Sequence, residues 1–90
     1  MKPAATAEHV ARYLQDLGVR AEVIVSEHEG RKFRGVSIWD NETDRYPIMT
    51  AWEPDDREPN WVWGSKFQFG CHGDVGEEGV ATRILETMPR

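Results

Sequence analysis

Cys71 and His72 are adjacent in Gly70-Cys71-His72-Gly73, which puts the chain's one thiol next to an imidazole. A thiol nucleophile needs its base within hydrogen-bond reach, whereas consecutive residues of extended chain point to opposite sides. The pair therefore reads as a small cysteine buried at a strand end, and no catalytic residue is assigned. Zinc needs about four ligands at short spacing; only His9, His28 and His72 could join Cys71, and no C-x-x-C or H-x-x-x-H pair occurs. Asp40, Glu42 and Asp44 match the first three ligand positions of an EF-hand loop. Arg45 then stands where that loop needs glycine and Ala51 where it needs a bidentate glutamate, so no metal is assigned.

Two further motifs invite chemistry and lose it on inspection. Gly70, Gly73, Gly76 and Gly79 recur ahead of a helix, as in a phosphate cradle. Asp74, Glu77 and Glu78 already occupy the positive end of that helix, where a phosphate would meet repulsion. These glycines read as turn and cap residues, and no cofactor is expected. Lys32-Phe33-Arg34-Gly35-Val36-Ser37-Ile38-Trp39 interleaves basic and aromatic residues as single-strand RNA platforms do, but lacks their signature spacing.

Charge argues the same way. Across 90 residues there are 16 acids and 11 bases, net −5, which disfavours nucleic acid and anionic membrane as partners. Between Asp40 and Glu58 stand seven acids (Asp40, Glu42, Asp44, Glu53, Asp55, Asp56 and Glu58) and two bases, Arg45 and Arg57. The rest of the chain is balanced. Asp40, Glu42, Asp44, Asp55, Asp56 and Glu58 thus form the candidate acidic docking set. One cysteine cannot make an internal disulfide, no apolar export segment opens the chain, and no apolar run approaches the roughly 20 residues of a membrane span. A single domain over residues 1–90 in a reducing cytoplasm is the expectation.

The elements that must position these residues follow from periodicity. Val10, Ala11, Tyr13, Leu14 and Leu17 have helical spacing over Ala7–Leu17, with Thr6 as N-cap and Gly18 as stop. Alternation and β-branching predict a strand over Val19–His28, and Glu29-Gly30-Arg31 predicts a turn. Phe33–Trp39 is a second strand. The polar turn Asp40-Asn41-Glu42-Thr43-Asp44 leads to a third over Arg45–Trp52, in which Pro47 needs an edge or a bulge. After the loop Glu53–Pro59 a fourth strand runs Asn60–Phe69, with Trp61, Trp63, Phe67 and Phe69 on one side. Asp74 and Glu77 have capping-box spacing before a helix carrying Val80, Ala81, Ile84, Leu85 and Met88. The fold class is α+β: a four-stranded antiparallel meander with the N- and C-terminal helices on one face, in the order α-β-β-β-β-α.

Two helices about 10 Å wide roof one face of such a sheet and leave the other bare. Trp61, Trp63, Phe67 and Phe69 belong under the roof, with Val36, Ile38, Val23, Val25 and Ile48. Phe33 and Trp39 then face outward beside Met49 and Val62, with Arg34 or Arg45 at the rim, a composition that suits a protein interface. The expectation is a non-enzymatic domain that binds protein, either itself as a homodimer or a heterologous partner, through Phe33, Trp39, Met49 and Val62. The alternative is an acidic inhibitor or immunity-type decoy covering a basic site on its target.

Overall fold

The computed structural model describes residues 5–41, 43, 45–64, 69–72 and 75–88, with Phe69 and His72 described by their backbone. The element order is α1 (Ala7–Asp16), β1 (Ala21–His28), β2 (Arg31–Ile38), β3 (Met49–Trp52), β4 (Asn60–Trp63), β5 (Phe69–His72) and α2 (Gly76–Thr87). All strands form one antiparallel sheet in the order β1-β2-β3-β4-β5. Both helices pack against the same face, so the α+β meander with terminal helices stands.

The sheet has five strands instead of four, because the stretch expected as one strand from Asn60 to Phe69 is a hairpin. The chain leaves β4 at Gly64, whose φ of 98° is open to glycine at little steric cost, and returns with Phe69 opposite Trp63. Apolar alternation carries straight through such a turn and hides it. Phe67 lies outside the described residues, as does Asp74, the expected cap of α2; the residue before α2 is Val75, which makes no side-chain cap.

The first hairpin turns at Glu29 and Gly30, both with positive φ, the backbone that two-residue hairpin turns of type I′ require. It sets a continuous register from Ala21 opposite Ile38 to His28 opposite Arg31. Pro47 raises no conflict, since β3 begins two residues after it at Met49.

Strand alternation decides the core. Ala21, Val36, Ile38, Ala51, Trp61 and Trp63 share one face and are buried against Val10, Ala11 and Leu14 of α1 and Val80, Ala81 and Ile84 of α2. The two indoles are fully buried, and Trp63 lies directly opposite Ala51, whose small side chain leaves room for it. Trp63 Nε1 donates to Thr87 Oγ1 at 2.6 Å, and that hydroxyl donates to Ile84 O at 3.0 Å. One hydroxyl thereby satisfies the buried indole and ties β4 to the last turn of α2.

Helix α1 is held at its N-terminus by two acceptors: Thr6 Oγ1 takes His9 N–H at 3.3 Å, and Glu53 Oε2 takes Ala7 N–H at 2.8 Å. Glu53 follows β3, so an acid 46 residues downstream closes the positive helix end. Arg34 of β2 joins this knot through an ion pair with Glu8 and with its Nε 3.9 Å from Glu53 Oε2.

Val23 and Val25 lie on the roofed face as expected but are not core: they are 37% and 57% exposed. Lengths explain it. A ten-residue helix runs about 15 Å, whereas an eight-residue strand runs about 27 Å, so the distal half of β1 extends past its roof. Among the described residues no helix is long and apolar enough to cross a membrane.

These contacts predict that Trp63→Ala lowers the unfolding free energy by about 3–5 kcal/mol through cavity formation, and Thr87→Ala by about 1 kcal/mol through the lost hydrogen bond. Urea unfolding followed by far-ultraviolet circular dichroism measures both.

Candidate functional site

The face away from the helices is built from the other strand parity. One cross-strand row runs Ile24, Gly35, Trp52, Val62 and Gly70, each directly opposite the next. Gly35 makes this row possible. A Cβ there would stand 2.7 Å from Ala51 O and 2.8 Å from Trp52 Cε3, so the indole lies against bare glycine backbone. Seating an aromatic ring on a strand glycine covers backbone that would otherwise face water. In the next row, across β2 and β3, Ser37 Oγ and Thr50 Oγ1 are 3.1 Å apart.

Beside this row opens a hollow of about 460 Å³ lined by Ser26, Glu27 and His28 of β1, Phe33 of β2, Trp52 of β3, Val62 of β4, and by Glu53, Asp55 and Glu58 from the β3–β4 connection. Phe33, Trp52 and Val62 are half-buried and make its apolar part. Its volume falls within the range of small ligand pockets, but it is open along one side, as a groove is. Four acidic residues and one histidine contribute to its lining, the Glu53 carboxylate itself being turned to Ala7 N–H. Arg31 lies nearby, its guanidinium Cζ 5.8 Å from the centre of the Phe33 ring.

The carboxylates are fixed by local hydrogen bonds. Asp55 Oδ1 accepts the backbone N–H groups of Arg57 at 2.7 Å and Glu58 at 2.8 Å, and Asp55 N donates to Glu58 O at 2.9 Å. This Asx turn follows from Asp55 sitting between Pro54 and Pro59, where proline removes other donors. The N–H groups of Glu58 and then Arg57 hold the Asp55 carboxyl below its ordinary value of 3.8, helped by Arg31 and Arg57. Glu58 Oε1 in turn accepts Asn60 N–H at 3.1 Å, which fixes the entry to β4.

Of the four residues expected on this face, Phe33 and Val62 line the groove and the other two do not. Trp39 is 8% exposed. Strand β2 ends at Ile38, so the alternation that assigned Trp39 outward no longer governs it. Its N–H bonds Arg20 O at 3.0 Å, the Arg20 guanidinium lies 4.3 Å above its ring, and it borders a separate hollow with Leu85 and Met88. Met49 stands opposite Ile38 and packs on the helix-side core, while Ile48, expected inside, precedes the strand. Parity was off by one there because the strand starts after Pro47. Arg34 is not a rim residue either; it points to the helix side and pairs with Glu8.

Trp52 is the groove residue that sequence reasoning missed. The signal was present in Gly35, a mid-strand glycine that an aromatic ring can cover, but pairing it with Trp52 needs the β2–β3 register. The acidic set is divided between opposite ends of β3. Asp55 and Glu58 line the groove with Asp56 exposed between them, Asp40 borders the Trp39 hollow, and Glu42 and Asp44 lie outside the described residues.

Cys71 sits on β5 opposite Trp61, half-buried against the core, and burial pushes its thiol up from the ordinary value against the opposing pull of Arg83. A thiol so placed is protonated at neutral pH, the opposite of what a nucleophile needs. Among the described residues no three His, Cys, Asp or Glu side chains are grouped to hold a metal ion.

Two outcomes follow. Gly35→Val should cost about 1–3 kcal/mol, since one of the two blocking atoms is backbone, measurable by urea unfolding. The Asx turn should contribute stability that depends on pH. Because the folded Asp55 pKa is depressed, the contribution is complete above its unfolded value and is lost as pH falls through the folded one. The stability difference between wild type and Asp55→Ala should therefore be constant around neutrality and shrink below pH 3.8. Comparison with protein-family models, curated protein sequences and solved structures finds no match to this chain, so the groove is read from its own geometry.

Proposed function

We propose that this chain is a non-enzymatic protein-interaction domain whose groove receives a partner segment carrying an apolar side chain flanked by Lys or Arg. The supporting observation is the joining of Phe33, Trp52 and Val62 on the face away from the helices to a rim that carries Asp55 and Glu58. Half-buried aromatic surface supplies area that gains by further burial, at about 25 cal/mol per Å². The rim adds direction. A cationic flank is attracted by the carboxylates, whereas a second copy docked groove to groove would set two acidic rims against each other.

Charge complementarity thus favours a heterologous basic partner over self-association through this face. It also joins the aromatic-interface and acidic-docking readings at one place, through Asp55 and Glu58. Glu53 is held by Ala7 N–H and Arg34, and Glu27 shares the helix side of β1 with Val23 and Val25, so Asp55 and Glu58 are the acids assigned to partner contact. No reacting group is assigned.

The probe for this reading is a fluorescent hexapeptide of alternating Lys and Leu, with a Glu–Leu counterpart, followed by polarisation. The Lys–Leu peptide should bind and the Glu–Leu peptide should not. Binding should weaken as salt rises from about 0.05 to about 0.5 M and exposed charges are screened. Phe33→Ser should weaken it at least about tenfold, roughly 1.4 kcal/mol, with circular dichroism unchanged. Equal binding of both peptides, or indifference to Phe33→Ser, would overturn the reading.

A further inference from the structure

Strand β1 is an outer strand of the sheet, and its eight residues Ala21–His28 contain no proline, lysine or bulge to block another strand. Two bonds fix which of its backbone groups face outward. Trp39 N donates to Arg20 O and Glu53 N donates to Arg34 O, each one step beyond the paired residues of its ladder and continuing the ladder's register. Odd-numbered residues of β2 therefore bond to β1 and even-numbered ones to β3. It follows that Glu22, Ile24, Ser26 and His28 direct their backbone groups to β2, while Ala21, Val23, Val25 and Glu27 direct theirs away from the sheet; the Ala21 carbonyl is taken there by Gln15 Nε2 at 2.7 Å, so the open row begins at Val23.

The outward-bonding residues also carry the apolar side chains left without a roof. Val23 and Val25 are 37% and 57% exposed on the helix side, adjacent along an open row of N–H and C=O groups. This combination suits an added antiparallel strand, because backbone pairing and valine burial are satisfied by one event.

We infer that β1 pairs with β1 of a second copy of this chain, antiparallel, about a two-fold axis through Ile24, joining two sheets into one. The register is selected by the residues themselves. With the axis at Ile24, each Val23 faces the partner's Val25 on the helix side, and Ile24 faces its own counterpart on the groove side. Ala21 faces Glu27 and Glu22 faces Ser26, so no carboxylate meets another. Val23 and Val25 of each copy meet as hydrogen-bonded pairs and exchange about four backbone hydrogen bonds, while Ala21, buried and with its carbonyl held by Gln15 Nε2 at 2.7 Å, bounds the pairing. Moving the axis to Val25 would put each Val23 opposite a Glu27 carboxylate. Pairing at this edge also keeps the acidic groove rims from meeting face to face, so self-association and partner binding use different surfaces.

Sedimentation of the wild-type chain should show a dimer that dissociates on dilution. Val25→Lys, a change at an exposed position, should weaken it at least about tenfold while the circular dichroism stays folded. Cross-linking reads the register. In a Cys71→Ser background, Ile24→Cys places two thiols at a non-hydrogen-bonded pair with Cα atoms about 4.5 Å apart, within the range a disulfide spans. It should oxidise to a covalent dimer. Glu22→Cys, which faces Ser26 instead of itself, should form no covalent dimer under the same oxidation. A wild-type chain that remains monomeric in concentrated solution overturns the inference, as does a dimer that cross-links through Glu22→Cys and not Ile24→Cys. Phe33→Ser should leave the dimer intact, which separates this surface from the groove.

Discussion

The structure turns on the placement of two indoles two residues apart on β4. Trp61 and Trp63 point to the same side, and their bulk decides which side the helices must cover. With that face committed, every directly paired residue on β3 and β2 is committed too, since antiparallel partners share a face. Ala51 lies opposite Trp63, Val36 opposite Ala51 and Val23 opposite Val36, a single row running from the core to the exposed edge. The groove face is the remainder: Ile24, Gly35, Trp52 and Val62 are where they are because their neighbours went to the other side.

The helices then set the limits of what can be buried. Helices of 10 and 12 residues cover the middle of the sheet, and the β1–β2 hairpin extends past them. That mismatch leaves Val23 and Val25 in water on the helix side and leaves the hairpin's Phe33 end as one wall of the groove on the other. The acidic connection after β3 has a divided role. Glu53 closes the end of α1, Asp55 folds the turn, and Glu58 fixes the entry to β4, so the same acids that line the groove also hold the chain segments around it.

Much of the fold was legible because its signals are local. The Ala7 start and Thr6 cap of α1, the Glu29-Gly30 turn and the apolar sides of β2 and β4 rest on spacing, capping chemistry and turn residues close together in sequence. The hairpin inside Asn60–Phe69 was not legible, since the alternation of aromatic residues looks the same on either side of a turn as it does along one strand. The site was legible by half. Phe33 and Val62 came from strand parity, but Met49 failed by a one-residue offset after Pro47, and Trp39 failed because the strand stops just before it.

The sequence by itself determined the fold class, the number of helices, the pair of tryptophans that anchor the core and the existence of a sheet face with apolar rings on it. These depend on period and residue type, which any stretch of chain carries with it. Tertiary structure alone decided that Trp52 lies on Gly35, that Glu53 reaches across to the first turn of α1, and that Trp39 is capped by Arg20. Each of those contacts joins residues 17 or more positions apart, and which partners meet depends on register and on where strands start and stop. A shift of one residue in either would exchange the two faces, and neither quantity is set by the residues of one strand alone.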